Sequence, residues 1–84
     1  MSQARAREEL VTFLDSIRRP QMPVDAIADG DSLVESGLID SLAVLEIMLY
    51  LETNYGIDFA VNGFDPAELS SIREILNLIE QRAL

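Results

Sequence analysis

The chain has 84 residues with fifteen acidic side chains, six arginines and no lysine, a net charge of −9, and no cysteine, histidine or tryptophan. Missing cysteine excludes a disulfide framework, a thiolate nucleophile and a cysteine-based metal site. Missing histidine removes the usual general base for serine chemistry, so a self-sufficient catalyst is not expected.

A chain of this length buries only about 60 % of the surface that its unfolded form exposes, so its core must be economical. Apolar residues make up 49 % of the sequence and are spread along it, which favours a compact fold over a disordered tail. Arginines stand at positions 5, 7, 18 and 19, whereas Pro20 to Ile72 holds ten acids and no basic residue. Such a surface repels a phosphate backbone, so no nucleic acid is expected as partner, and docking onto basic patches of other proteins is favoured. Solubility alone accounts for the acidity equally well. The first residues lack the apolar run of a signal peptide, and no stretch reaches the roughly 20 apolar residues that span a bilayer. The expectation is a cytoplasmic monomer with no stable membrane insertion.

The first helix is predicted from about Gln3 to Arg18. Leu10, Phe13, Leu14 and Ile17 recur at helical spacing, Val11 widens the stripe, and Pro20 stops the helix. Glu8 and Glu9 sit early, and Arg18 and Arg19 favour the dipole at its end. From Pro20 to Asp40 the chain reads as a long structured loop, with a short turn of helix around Asp25 to Ala28. A loop of this length is commonly functional. Val24, Ile27, Leu33, Val34, Leu38 and Ile39 are its apolar anchors.

A second long helix is predicted over Ser41 to Tyr55, ended by Gly56. Val44, Ile47, Met48, Leu51 and Tyr55 form its core stripe. Leu42, Leu45 and Leu49 lie on another sector, of which Leu42 and Leu49 are expected to stay exposed for partners. Val44 and Leu45 are read as ordinary core before any acyl-accepting gap, and Tyr50 as a packed or half-exposed aromatic. Ile57 to Val61 is read as an extended connector with Ile57 and Phe59 tucked inward. Phe64 to Leu69 is read as one helical turn, with Asp65 as cap and Pro66 at the first helical position. Ser71 and Glu74 form a capping box for a last helix whose apolar face is Ile72, Ile75, Leu76 and Ile79, ending near Ala83. The fold class is therefore all-α: three long helices plus one short helix, with a long structured loop between the first two, in one domain over residues 1–84.

The informative local feature is Glu35-Ser36-Gly37-Leu38-Ile39-Asp40-Ser41-Leu42, a glycine-containing loop running into the most apolar helix. Ser41 falls at or beside the N-cap, where free backbone N–H groups and the helix dipole favour an attached anion. A serine or aspartate in that position is also simply a cap. Asp29, Asp31 and Glu35 read as a solvated acidic loop; their spacing matches no calcium loop.

In this order and at these separations, the first amphipathic helix, Asp31-Ser32-Leu33, Asp40-Ser41-Leu42 and Asn54-Tyr55-Gly56-Ile57 resemble the acyl carrier protein superfamily, which includes peptidyl and D-alanyl carriers. The resemblance covers nearly the whole chain. It implies that Ser41 is the covalent attachment point of 4′-phosphopantetheine, transferred from coenzyme A by a magnesium-dependent phosphopantetheinyl transferase. It implies that Asp40 assists the transferase and its metal, and that Leu42, Glu46 and Glu52 bind partners, to which the exposed apolar sector adds Leu49. Those partners would be the transferase, an acyl- or aminoacyl-loading ligase and a downstream acyltransferase or synthase.

Fatty-acid carriers commonly show Gly-X-Asp-Ser-Leu, whereas here two residues separate Gly37 from Asp40, a phrase similar to D-alanyl and freestanding aminoacyl carriers. Ala43, where an acid is common, and the bulky Tyr50 also depart from the fatty-acid pattern. The leading expectation is a carrier of an acyl or aminoacyl thioester without turnover of its own. A D-alanyl carrier for envelope modification, a fatty-acid synthesis carrier and a non-carrier acidic helical adaptor stand as alternatives.

Overall fold

A computed structural model describes residues 3–63 and 65–82. Four α-helices follow one another: α1 (Gln3–Ile17), α2 (Ala43–Tyr55), the single-turn α3 (Phe59–Asn62) and α4 (Ile72–Arg82). Single 3-10 turns lie at Val24–Ala26 and Pro66–Leu69, and there is no strand among the described residues. The fold is the all-α bundle of three long helices and a short one that the sequence pattern predicts.

Helix α1 turns Ala6, Leu10 and Leu14 fully inward and leaves Phe13 and Ile17 half-buried at the edge of the stripe. Complete burial of a leucine contributes roughly 1.5–3 kcal/mol. Arg18 closes the helix end. Its Nε donates to Asp15 Oδ1 at 2.7 Å, and Nη1 reaches the carbonyls of Arg19 and Met22 at 3.2 and 3.3 Å.

The long loop is ordered by its own anchors. Val24, Leu33, Leu38 and Ile39 are buried, Ile27 is half-buried, and Val34 is exposed, against the expectation that it packs inward. The loop is pinned at both flanks. Arg19 N donates to Leu38 O at 2.8 Å, Leu33 N to Ser70 O at 2.8 Å, and Arg73 N to Asp29 O at 2.9 Å. Arg7 on α1 grips Asp29 through Nε at 2.9 Å and Nη2 at 2.7 Å. These two hydrogen bonds, followed by the guanidinium charge, hold the Asp29 carboxyl below its ordinary value. Asp31 accepts the Ala28 N–H at 2.9 Å. Asp29 thus ties the loop to α1, and Asp31 ties it to itself. Gly37 sits at φ 88°, where a side chain would be strained, and lets the chain turn towards Ile39.

Helix α2 begins at Ala43, two residues later than predicted, and ends at Gly56 in the left-handed conformation. Its buried stripe is Ala43, Ile47, Leu51 and Tyr55, with Val44, Met48 and Tyr50 partly covered. The connector after Gly56 buries Ile57 and Phe59 as expected but is not extended throughout. The Asp58 carboxylate accepts the N–H groups of Ala60 at 2.9 Å and Val61 at 3.2 Å, which winds residues 59–62 into α3.

Asp65 caps the next turn by accepting the Ala67 N–H at 3.0 Å, with Pro66 first in the turn. Phe64, which the sequence reading includes in that turn, and Ala83, its predicted helix end, lie outside the described residues. Ser71 is buried and caps α4 by accepting the Glu74 N–H at 3.2 Å. Leu78 joins the predicted apolar face of α4, which packs against α1. No helix among the described residues is long and apolar enough to cross a membrane.

Candidate functional site

The Asp40–Leu42 segment leaves the buried pair Leu38 and Ile39 and turns outward before α2 begins. Asp40 is the cap. Its Oδ1 accepts the Ala43 N–H at 3.0 Å, and its carbonyl oxygen accepts the same N–H at 3.1 Å. The next bond, Leu45 N to Leu42 O at 3.1 Å, has the same three-residue reach, so the chain winds tightly before the regular helix.

Ser41 therefore does not cap α2. Aspartate and serine are equally good caps by type, and here the aspartate side chain takes the position. The Ser41 side chain is exposed, and its hydroxyl makes no hydrogen bond among the described residues. That leaves an outward-facing oxygen on a turn fixed at both ends, beside the positive end of a 13-residue helix. Neither histidine nor cysteine exists to activate it.

The predicted recognition residues project from the same end. Leu42, Leu45 and Leu49 are 74 %, 60 % and 63 % exposed, which no packing requirement of the fold explains. At 100° per residue Leu42, Leu45, Glu46 and Leu49 share one face, with Glu52 at its margin. Glu46 and Glu52 are exposed. Leu45, assigned to the core from sequence, belongs to this exposed stripe. Its spacing from Leu42 and Leu49 carried the signal, which the equally helical core spacing of its neighbours obscured. Val61 on α3 is exposed as well and was not singled out in the sequence.

Behind this face, Tyr50 stacks on Phe13 of α1 with ring centroids 4.3 Å apart, and meets Tyr55 edge-on at 6.0 Å. The Tyr55 hydroxyl donates to Glu9 at 3.2 Å. Burial pushes both phenols above their ordinary value. No group of three or more metal-ligating side chains occurs among the described residues.

Comparison with known proteins gives the class of protein to which this helical bundle belongs. A family model described as the phosphopantetheine attachment site matches residues 14–79. The chain belongs to this family of phosphopantetheine-binding carriers.

Its curated relatives include D-alanyl carrier proteins. The protein of Lacticaseibacillus rhamnosus is 34 % identical over 50 residues, covering 60 % of this chain and 62 % of the relative. That of Lacticaseibacillus casei (strain BL23) is 30 % identical over 50 residues with the same coverage. That of Leuconostoc citreum (strain KM20) is 30 % identical over 76 residues, 88 % of this chain and 91 % of the relative. The two Lacticaseibacillus matches thus span less than two thirds of those proteins. No solved structure matches significantly.

Proposed function

We propose that residues 1–84 act as one carrier domain that holds a small aminoacyl group, D-alanine, as a thioester on 4′-phosphopantetheine esterified to Ser41. The observation that supports the attachment residue is the exposed Ser41 hydroxyl, which makes no hydrogen bond among the described residues while the neighbouring Asp40 caps the turn into α2. The cargo rests on the printed names of the relatives and on the two-residue spacing between Gly37 and Asp40.

On this reading the Ser41 oxygen takes the phosphopantetheinyl group from coenzyme A within a magnesium-dependent transferase, adenosine 3′,5′-bisphosphate leaves, and the transferase must supply the base that accepts the hydroxyl proton. Asp40 holds the turn that presents the oxygen and directs its free carboxylate oxygen towards the transferase and its metal. When attached, the arm supplies the thiol that this cysteine-free chain lacks. Leu42, Leu45 and Leu49 then give partner enzymes an apolar patch to cover, and Glu46 and Glu52 pair with basic residues at its rim. Tethering raises the effective concentration of the cargo at each enzyme in turn. The partners are the transferase, an aminoacyl-loading ligase and a downstream acyltransferase.

Incubation with coenzyme A, magnesium and a broad-specificity transferase should add one phosphopantetheine to the wild-type mass and nothing to Ser41→Ala. Equal gain by both proteins would remove Ser41 from the account. Protein isolated from its native cells should release the hydroxamate of D-alanine on treatment with hydroxylamine; a fatty acyl hydroxamate in its place would overturn the cargo.

A further inference from the structure

Helix α1 meets α2 along a seam that is aromatic in the middle and acidic at the end remote from Ser41. Glu9, Phe13 and Ile17 follow one another at four-residue spacing on α1, and Glu46, Tyr50 and Asn54 do so on α2, so each row keeps to one side of its helix. Phe13 and Tyr50 join the two rows, their ring centroids 4.3 Å apart and their planes within 13° of parallel. Both residues are half-buried, so the stack floors the seam and keeps part of its surface in solvent.

Over this floor lies an open groove of about 500 Å³, lined by Glu8, Glu9, Thr12, Phe13, Tyr50 and Asn54. Its polar side chains have used donors internally and kept acceptors. The Thr12 hydroxyl donates to the Glu8 carbonyl at 2.9 Å, and Asn54 Nδ2 donates to the Tyr50 carbonyl at 3.0 Å. Neither Asn54 Oδ1 nor the exposed Glu8 carboxylate has a partner among the described residues. Glu9 accepts the Tyr55 hydroxyl on Oε1 at 3.2 Å and meets the guanidinium of Arg5 through Oε2 at 3.5 Å. The Arg5 side chain is 77 % exposed, so this cation is loosely held and easily replaced.

Two carboxylates, a spare amide oxygen and a pair of rings suit a cation that is flat, rich in donors and able to lie against an aromatic face. A guanidinium has these properties, with five N–H donors in one plane and weak hydration, whereas an ammonium is a strongly hydrated point charge. The groove also continues into the recognition face of α2. A second groove of about 380 Å³ shares Phe13, Tyr50 and Asn54 with the first and reaches Glu46 and Leu49. On α2, Tyr50 and Asn54 stand about 12 and 18 Å along the axis from Leu42, so a group seated over them leaves Ser41 uncovered.

We propose that the seam between α1 and α2 is a second docking point of this carrier, which receives an arginine side chain of a partner enzyme between Glu8, Glu9 and the Phe13–Tyr50 stack. The inference rests on the carrier reading, which supplies the partner: an enzyme that acts on the group tethered at Ser41. The two contacts have separate tasks. Leucines on one face of one helix let a docked carrier pivot about that helix, and an anchor on α1 removes the pivot and so fixes where Ser41 points. The anchor is charged at its rim and the leucine face is apolar, so added salt weakens the first more than the second.

The test is nuclear magnetic resonance of the full-length holo protein, its mass first confirming one phosphopantetheine, as a short alanine-based peptide with two arginines four residues apart is added. Shifts are expected at Glu8, Thr12, Phe13, Tyr50 and Asn54, with weaker binding of the lysine analogue of the peptide. Glu8→Gln should weaken the arginine peptide by up to about fivefold, the equivalent of one exposed ion pair, with circular dichroism unchanged. Glu35→Gln, which removes the same charge from the exposed loop, should leave the affinity as in wild type. In transfer from the aminoacyl-loading ligase, Glu8→Gln should raise KM for the carrier and hold kcat. Shifts confined to other residues, equal binding of the two peptides, equal effects of Glu8→Gln and Glu35→Gln, or an unchanged KM each overturn the inference and leave the attachment at Ser41 intact. A wild type that gains no phosphopantetheine removes the carrier reading instead, and the peptide titration of the unmodified chain still decides whether the seam takes arginine.

Discussion

Replacing Asp40 and Ser41 separately divides two roles that adjacent residues are usually credited with together. Asp40 accepts the Ala43 N–H at 3.0 Å, the arrangement of an N-cap, and the loss of such a cap costs about 0.5–2 kcal/mol. Its charge at the helix start contributes a further 0.3–1 kcal/mol or so, which Asp40→Asn would remove while keeping the cap. Ser41 has no bond to lose and little burial, so Ser41→Ala should stay within about 0.5 kcal/mol of wild type.

For a domain of this size a change of 1 kcal/mol moves Tm by about 4–8 °C. The expected order of melting temperature is wild type close to Ser41→Ala, then Asp40→Asn, then Asp40→Ala, followed by circular dichroism on the unmodified proteins. Intact mass after incubation with transferase should run differently, with only Ser41→Ala wholly blocked. If Ser41→Ala melts as low as Asp40→Ala, the serine holds the helix start and the division of roles is refuted.

Leu42→Asp should leave stability within about 0.5 kcal/mol, since the side chain is exposed, yet slow transfer from the loading ligase; undiminished transfer rejects the docking role. Arg7 lowers the Asp29 carboxyl below its ordinary 3.8, so the pair stabilises the fold above that value and ceases to as pH falls through the depressed one. As the pair is partly exposed, Asp29→Asn should cost roughly 0.2–1 kcal/mol in urea melts near neutrality, and the difference should shrink and then vanish as pH falls through the lowered value of the Asp29 carboxyl. A difference that persists at low pH refutes the pairing as its cause. With two tyrosines and no tryptophan, phenolate absorbance reports Tyr50 and Tyr55 alone. Both are raised above 10.0 by burial, so their neutral forms stabilise the fold at lower pH and that contribution is lost as pH climbs past it. Ionisation should wait for unfolding; titration near pH 10 with native circular dichroism would show the rings to be solvated.

Features that depend on neighbours within one turn of chain were legible in the sequence. Pro20 behind α1, Gly56 behind α2, the Asp65-Pro66 turn and the Ser71 cap need only local geometry, and each stands where its residue type predicts. The helical spacing of Leu10 and Leu14, or of Ile47 and Leu51, likewise defines a buried face without reference to what covers it. The motif around Ser41 was visible because its order along the chain resembles a known family.

Tertiary structure decided what local rules leave degenerate. Asp40 and Ser41 both qualify as caps, and the packing of Leu38 and Ile39 beneath the loop sets which side chain reaches Ala43. Leu45 and Val34 are apolar at spacings compatible with burial, and only the positions of the other helices leave them exposed. The pairing of Arg7 with Asp29 and the bond from Arg19 N to Leu38 O join residues about twenty apart in sequence, a separation over which composition and period carry no information. Contacts of that kind exist only once the loop has folded back across α1, because the core that holds it there is assembled from every helix at once.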